Sequence, residues 1–244
     1  MANLTFASYN SNGHGVGRLE YIDKLTKSND IVLVQEHWLF SKQLDLFESK
    51  IPHIYSHGIS GMSENEIVLG RPYGGCAIIW KKNIHCKVSP VLFQSKRVCA
   101  VTLEMDNISI FIVNVYMPCD SIILDDKAKE FLDTLSEISS KMEELDVNYV
   151  VIGGDFNTDF LRQGSLNTTN LKSFIEKESL QCLSFHHKSN VQYTFESKVN
   201  GEKSLIDHFI ISENLCNLVS EYSCIHDGDN LSDHSPARSE ERRV

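Results

Sequence analysis

Long hydrophobic runs are missing from this sequence of 244 residues. Apolar stretches such as 31–34 and 149–152 fall far below the roughly 20 residues that a membrane-spanning helix needs. Residues 1–4 also lack the basic segment, followed by an apolar one, that marks a secretory signal peptide. The sequence therefore predicts a protein that neither spans a membrane nor is secreted.

Paired cysteines are missing as well. The seven cysteines are odd in number, and no two of them form a C-x-x-C pair. Zinc clusters and disulfide scaffolds normally show such spacings. The pattern favours reduced thiols that act mostly as small apolar side chains, as in proteins of the cytosol or nucleus.

Basic residues are outnumbered, with 23 Lys and Arg against 33 Asp and Glu, which gives a formal net charge of −10. This balance argues against a protein that coats DNA non-specifically. The whole excess lies in residues 123–244, which hold 12 bases and 22 acids. Residues 67–103, called the basic segment below, contain six bases and no acid. This segment is open to two interpretations: a nucleic-acid contact, or a strand edge protected by lysines.

Strand-like and helix-like periods alternate along the chain. Helices are predicted at 16–25, at 125–145 and, after a cap at 168–170, at 171–178. Strands are predicted at the following positions: 4–8, 31–34, 53–57, 75–81, 98–105, 108–116, 147–153, 191–195 and 205–211. Because some strands are joined by short turns and others by helices, the pattern indicates mixed or antiparallel sheets with helices outside. No repeat or flexible linker interrupts it, so one domain is expected.

Polar side chains follow the first two predicted strands. Asn10 and Asn12 are two residues apart and point to the same side of an extended chain. Glu36 follows the buried strand 31–34, where a carboxylate is costly unless it is paired or bound to a metal ion. Such oxygen ligands suit Mg²⁺. The alternatives are an Asx turn at the asparagines and a surface helix cap at the glutamate.

Three more polar groups follow later apolar strands. Tyr116 ends the strand around 111–113, and Asp155 and Asn157 come after two glycines at the end of 150–152. Glycines let a ligand approach the backbone closely. An acid and an amide on one side of the chain can position a water molecule and hydrogen-bond a phosphate oxygen. The alternatives are a core tyrosine with its hydroxyl at the edge and a glycine-rich turn.

The last candidates are an acid inside an apolar strand and a histidine in a turn. Asp207 interrupts the strand 205–211, and His234 lies in the sequence Ser-Asp-His-Ser-Pro that begins at Ser232. A carboxylate that hydrogen-bonds an imidazole raises its basicity and fixes its tautomer. We predict that these two residues pair, and that His208 points to the opposite face.

The order of these motifs is more specific than any one of them. The run N-x-N-G, QE, N-x-Y-x-P, GDFN, IDH and SDHSP resembles the endonuclease/exonuclease/phosphatase superfamily over residues 8–236. Within it, QEHW, YGGCAIIW, NVY, GGDFN and SDHSP are most similar to the endonuclease domains of non-LTR (LINE-type) retrotransposons. Similarity to the apurinic/apyrimidinic repair endonucleases is weaker, because Cys119 stands where that branch usually carries asparagine.

The resemblance implies an α/β (α+β) fold: a four-layer sandwich of two packed mixed β-sheets flanked by helices. It also implies a DNA endonuclease that depends on Mg²⁺, with Mn²⁺ as a substitute, and nicks DNA to prime reverse transcription. Glu36 is then the principal metal ligand, with Asn10 and Asn12 beside it and Asp233 aiding the metal or the water.

The same resemblance assigns the catalytic roles. Asp155 would orient and activate the attacking water. Asn157 and Tyr116 would contact the phosphate. His234, supported by Asp207, would stabilise the charge on the scissile phosphate.

The resemblance further implies contacts with double-stranded DNA. Lys96 and Arg97 would touch DNA, and Thr194, before a hairpin loop at 196–203, would sense the minor groove unless that loop is an ordinary exposed hairpin. A reverse transcriptase domain of the same polyprotein is the expected partner. We expect synthesis in the cytoplasm, action in the nucleus and a monomeric isolated domain.

Two rival functions and one boundary complete the expectations. A repair nuclease or phosphatase of the same fold is the first rival, and a catalytically silent binding module is the second. The domain is expected to span 1–236. Residues 237–244 are highly charged and are expected to be a tail, truncated, vector-derived or poorly ordered.

Overall fold

The computed structural model describes residues 4–63, 70–105, 108–120 and 125–241. Two six-stranded sheets and a two-stranded ribbon hold the strands of these residues. Helices cover the outer faces of both sheets, so that the molecule has four layers. This is the α/β sandwich that the resemblance implies.

The first sheet has the strand order β13-β14-β1-β2-β4-β3. Its strands are β1 Leu4–Asn10, β2 Ile31–Gln35, β3 Ile54–Ile59, β4 Cys76–Lys81, β13 Val219–Cys224 and β14 Ala237–Glu241. Strands β1 and β2 are parallel, and the other neighbours are antiparallel. The sheet is therefore mixed.

The second sheet has the order β5-β6-β7-β8-β12-β9 and is also mixed, since only β7 and β8 are parallel. Its strands are β5 Lys87–Val91, β6 Val98–Met105, β7 Ile108–Tyr116, β8 Tyr149–Asp155, β9 Leu180–Cys182 and β12 Asp207–Ser212. A short ribbon of β10 Phe195–Glu196 and β11 Lys203–Ser204 lies outside both sheets.

The helices are α1 Val16–Ser28, α2 Leu46–Lys50, α3 Asp125–Glu144, α4 Leu166–Lys177 and α5 Glu213–Cys216. One apolar cluster fills the space between the sheets, where the rings of Phe6 and Phe209 lie 6.3 Å apart. A second cluster joins α3 and α4 to the second sheet, and a third joins α1 and α2 to the first. Among the described residues, no helix is long and apolar enough to cross a membrane.

Several predicted elements differ from the observed ones. Helix α4 begins at Leu166 rather than 171, because the Ser165 hydroxyl accepts the Thr168 backbone N–H and caps it earlier. Only Phe195 of the strand predicted at 191–195 is in a strand. The short or polar strands β5, β9, β11 and β13 were not predicted.

The prediction that the residues after 236 form a tail is wrong for residues 237–241. Residues Ala237–Glu241 form β14, which pairs with β1 on one side and β13 on the other. The strand is internal to the sheet, so the folded domain extends past the predicted boundary to Glu241.

The carboxyl ends of two parallel strand pairs meet at one edge of the sandwich. Asn10 ends β1 opposite Gln35 of β2, and Tyr116 ends β7 opposite Asp155 of β8. Gly154 fits beside β7 because a Cβ there would lie 2.1 Å from the Val115 carbonyl oxygen. The two-glycine motif is therefore needed for packing immediately before the acidic residue.

Candidate active site

Asp155 lies at the centre of this edge and is only 1% exposed. Its Oδ2 accepts a hydrogen bond from Asn10 Nδ2 at 2.9 Å, and its Oδ1 accepts the Asn157 backbone N–H at 2.8 Å. Burial, reinforced by the charge of nearby Asp207, raises the pKa of Asp155 to about 7. A carboxyl group of this pKa can hold or release a proton near neutral pH.

His234 is paired with Asp207, as the sequence predicts. His234 Nδ1 donates to Asp207 Oδ2 at 2.9 Å, which leaves Nε2 3.9 Å from Asp155 Oδ2. Burial alone lowers the pKa of His234, but the charges of Asp207 and Asp155 outweigh it and raise that pKa to about 10. The imidazole is thus a fixed cation next to the central carboxylate.

Glu36 lies across the edge on the first sheet and is half-buried. Its Oε1 accepts from Asn10 Nδ2 at 2.9 Å, and its Oε2 accepts from Trp38 Nε1 at 3.2 Å. The Tyr116 phenol also hydrogen-bonds Glu36; burial, followed by the charges of Glu36 and Asp155, raises the pKa of Tyr116. The phenol therefore remains a proton donor.

Asn10 hydrogen-bonds two carboxylates, a contact that the sequence does not predict. One amide nitrogen donates to both Glu36 and Asp155, so this group is the NH₂ end of the side chain. Its oxygen accepts the Asn12 backbone N–H at 3.0 Å. Asn10 is fully buried and clamps the two carboxylates in place, and its expected position beside a metal ion stays a prediction.

Asn12 and Asp233 form the opposite wall of the site. Asn12 Nδ2 donates to Asp233 Oδ1 at 3.0 Å, and both side chains are half-buried. The Asn12 amide oxygen and the second Asp233 oxygen are therefore the atoms with which this pair can bind a ligand.

Asn157 is held by its neighbours on the β7 side. Its Nδ2 donates to the Met117 carbonyl at 2.9 Å, and its Oδ1 accepts from Cys119 Sγ at 3.1 Å. Cys119 is exposed and lines the same cavity. The sequence motifs include this thiol but do not predict it in the site.

Four non-glycine residues around the site have left-handed backbone, with φ of 49° to 59°: Asn12, Glu36, Trp38 and Asn157. Left-handed conformations are unfavourable for most side chains, and they persist where the surrounding structure fixes them. At Asn12, Glu36 and Asn157, this backbone conformation directs the side chain into the site.

Asn12, Glu36 and Asn157 line a cavity of about 360 Å³, together with Asp155, Asp233 and His234. Glu36, Asp155 and Asp233 contribute carboxylates to it, and Asn12 contributes an amide, which is the donor set that a hard divalent cation prefers. Asp155, Asp207 and His234 also lie within 4.8 Å of one another. That trio suits a metal less well, because His234 Nδ1 and Asp207 Oδ2 are already joined.

The prediction that the Thr194 side chain senses the minor groove does not agree with its burial. Its side chain is fully buried, and its Oγ1 accepts the backbone N–H groups of Ile206 and Asp207 at 3.2 and 3.0 Å. Thr194 therefore fixes the start of the strand that carries Asp207, and its side chain is not presented at the surface.

Lys96 and Arg97 lie at the site end of the sandwich. Lys96 is exposed and donates to Ser63 Oγ. Arg97 donates twice to Glu130, at 2.8 and 3.1 Å, and its guanidinium lies 5.4 Å from the Tyr116 ring centre. Arg97 is thus committed to an ion pair in this structure.

The basic segment is not one surface. Lys81 and Lys87 belong to the opposite end of the sandwich, where their strands pair Lys81 with Ile54 and Lys87 with Glu104. Arg71 alone of its six bases lines the cavity. Arg162, from the loop after β8, also lines it and was not predicted.

The model of the endonuclease/exonuclease/phosphatase family matches residues 7–234. The chain belongs to this family. The match extends from β1 to His234 and so includes every candidate catalytic residue. A search of the curated proteins finds no match.

Solved structures of nucleases and a phosphatase share the family fold. The 3′ phosphatase NExo from Neisseria, bound to product DNA hairpin, has a TM-score of 0.77 at 18% identity, over 98% of this chain and 100% of its own. The AP endonuclease LMAP from Leishmania major has a TM-score of 0.78 at 15% identity, over 99% and 88%.

The endonuclease domain of TRAS1, a telomere-specific non-LTR retrotransposon, has a TM-score of 0.71 at 15% identity, over 99% of both chains. At these identities the likeness establishes the fold. The family places the chain among nucleases and phosphoesterases, and the choice within that group depends on the site.

Proposed function

We propose that this protein is a Mg²⁺-dependent DNA endonuclease that nicks target DNA for target-primed reverse transcription of a non-LTR retrotransposon. One observation carries the hydrolytic part of the proposal. Asp155 is buried between a clamping amide and a cationic imidazole, and both it and the imidazole face a polar cavity. That arrangement suits attack by water on a phosphodiester.

Asp155 is the proposed general base. Its Oδ2 is held by Asn10, and the pKa of Asp155, raised to about 7, favours uptake of a proton from a bound water molecule. The Asn157 backbone N–H fixes the other oxygen and so sets the direction of the carboxylate.

His234 is the proposed group that neutralises charge on the phosphate. Its Nδ1 is fixed by Asp207, so the Nε2–H points to the side where Asp155 and the cavity lie. The amide of Asn157 lines the same cavity and keeps one N–H beyond its bond to Met117 for a phosphate oxygen; the Tyr116 phenol, which also lines it, would reach the phosphate by exchanging its bond to Glu36. Preorganised donors of this kind typically contribute about 10²–10³ in rate each.

Glu36, Asn12 and Asp233 are the residues that would hold Mg²⁺ or Mn²⁺. When bound, such an ion supplies Lewis acidity and offsets charge on the leaving oxygen. Asn10 and Trp38 orient Glu36 toward it through their hydrogen bonds to the two carboxylate oxygens.

The retrotransposon part of the proposal is supported by the motif run and by the TRAS1 likeness over 99% of both chains. It carries with it double-stranded DNA as substrate, a reverse transcriptase domain of the same polyprotein as partner, and the nucleus as the site of action. We expect the isolated domain to be a monomer.

The test is nicking of supercoiled plasmid with Mg²⁺ and with EDTA. Wild-type protein should convert plasmid to the open circle only with the metal. Asp155→Ala and His234→Ala should lower the rate by at least about 10². His226→Ala, at an exposed histidine, is the matched control. Nicking by His234→Ala at the wild-type rate would refute the assignment.

A repair nuclease or phosphoesterase is the second candidate, because NExo and LMAP share the fold at comparable TM-scores. A substrate panel separates the candidates: intact plasmid, a duplex with one abasic site, a duplex with a 3′ phosphate, and inositol phosphates. A preference of 10-fold or more for the abasic or 3′-phosphate duplex would favour the second candidate.

A further inference from the structure

Arg71 and Arg162 differ from the other described arginines. Arg18 donates to the Ser11 carbonyl, Arg97 to Glu130, and Arg238 to Glu221 and Glu240. Within the described part of the chain, neither Arg71 nor Arg162 has a carboxylate within ion-pair distance. Both are exposed, and both line the catalytic cavity.

Arg71 is positioned by an aromatic ring that itself contacts the catalytic centre. Its guanidinium lies 5.0 Å from the centre of the Trp38 ring. The Trp38 indole N–H donates to Glu36 Oε2. A guanidinium over a ring keeps its N–H donors free for a planar oxygen pair. The cation is therefore held beside the proposed metal ligand, and no acceptor among the described residues takes its N–H donors.

Arg162 approaches the cavity from the other sheet. It belongs to the loop between β8 and α4, where its backbone N–H donates to the Asp159 carbonyl at 3.0 Å. Asp159 in turn accepts the Leu205 N–H, which ties the loop to the start of β12. Arg71 precedes β4 of the first sheet, so the two cations reach the cavity from opposite sides of the sandwich.

The rest of the cavity is acidic. Glu36, Asp120, Asp155 and Asp233 line it, and among the described residues the buried His234 is the one cationic lining group besides the arginines. An imidazolium and a metal ion can offset the charge of a single phosphate ester. A strand that also places neighbouring phosphates at the rim needs further cations there, since each phosphate carries a negative charge.

We propose that Arg71 and Arg162 bind the backbone phosphates on either side of the scissile one. The substrate class is then a polynucleotide strand held at three successive phosphates, rather than an isolated phosphate ester. This inference rests on the proposed function and specifies how the same site recognises its substrate.

The test is the salt dependence of binding to a fluorescent 20-base-pair duplex in EDTA, between 50 and 200 mM NaCl. Arg71→Ala and Arg162→Ala should each weaken binding by about ten-fold and reduce the slope of log K against log[salt] by about one. On plasmid with Mg²⁺, each should raise KM and leave kcat unchanged.

Lys82→Ala is the matched control. Lys82 belongs to the same basic segment and lies 5.0 Å from the Tyr55 ring centre, but at the opposite end of β4. It should keep the wild-type slope. If both arginine variants also keep that slope, the inference is overturned even though wild-type protein nicks plasmid. If wild-type protein neither binds the duplex nor nicks plasmid, the proposed function itself fails.

Discussion

Asn10 connects two carboxylates that lie on different sheets. Its single amide nitrogen is 2.9 Å from both Glu36 Oε1 and Asp155 Oδ2. Hydrogen bonds to charged groups are worth about 1.5–3 kcal/mol each, so this donor offsets the repulsion between two nearby acids. Groups that orient a metal ligand in this way usually affect function strongly although they never touch the substrate.

Asn10→Ala should lower nicking by about 10–100-fold, because both carboxylates lose their common donor. The Mg²⁺ concentration for half-maximal activity should rise at the same time. Asn200→Ala, in the exposed hairpin loop, is the control with the same change of side chain. A rate and Mg²⁺ requirement equal to those of wild type would show that the clamp is dispensable.

Individual residues were predictable where a polar group ends an apolar strand. This rule picked out Glu36 and Asp155, whereas the Asp207–His234 pair was predicted from an acid inside an apolar strand and a histidine in a turn. It did not find the clamp, because Asn10 and Asp155 are 145 positions apart and a donor looks like a ligand in sequence. Thr194 was misjudged because its segment is an irregular chain rather than a strand, so alternation does not tell its buried side.

At the scale of elements, β14 shows the limit of hydropathy patterns. In this strand Ala237, Ser239 and Glu241 are buried, while Arg238 and Glu240 are more exposed and pair with each other. Buried and more exposed positions alternate along the strand, but two of the buried positions are polar. The segment is therefore highly charged in sequence, and that charge predicts a tail instead of a strand. Elements whose buried faces are apolar were predictable: the strands β1, β2, β7 and β8, and the helix α3.

Truncation after Pro236 should prevent folding. It removes the strand between β1 and β13, exposes the core side chains Phe6 and Tyr222, and leaves two strand edges without partners. Truncation after Glu241 keeps the strand and is the control. Circular dichroism and a thermal melt compare the two, and a cooperative melt of the shorter chain would contradict this expectation.

Glu241 should make stability fall with rising pH. Burial raises the pKa of this carboxyl from 4.5 to about 8. The folded chain therefore binds a proton that the unfolded chain has released, and the free energy of unfolding should decrease between about pH 4.5 and 8. Below that window the group has no effect, since both states are protonated.

Urea unfolding at pH 5.5 and 7.5 measures this effect. Glu241→Gln keeps a neutral side chain at both values, so the wild-type loss of stability with pH should exceed that of the variant. Equal losses in the two proteins would mean that the carboxyl is ionised in the folded state.

For the whole molecule, the net charge of −10 is less informative than its distribution. Carboxylates converge at the site end of the sandwich, and Arg71 and Arg162 lie at their rim. Lys81 and Lys87 are at the far end, each paired with an acid. A cation bound among the acids would relieve their repulsion, so weak and salt-sensitive DNA binding remains the expectation for the isolated domain.

Mg²⁺ should therefore stabilise the folded protein. At a free concentration of about 100 times Kd, binding to the folded state alone adds about 2.7 kcal/mol. For a chain of this size that corresponds to a rise in Tm of roughly 5–10 °C. Differential scanning fluorimetry with Mg²⁺ and with EDTA measures it. Glu36→Gln should lose most of the rise, and a full rise in that variant would place the ion elsewhere.

The two ends of the chain meet in one sheet, where Leu4 of β1 pairs with Glu241 of β14. The catalytic centre also joins residues that are far apart in sequence, since Asn10 and His234 both adjoin Asp155. During translation, then, the first strand can pair with β2 early, but its second neighbour, β14, is available only when nearly the whole domain has left the ribosome. The domain acquires its candidate catalytic centre only as its last strand is added, so under the proposed function a nascent chain would not cut nucleic acid before this point.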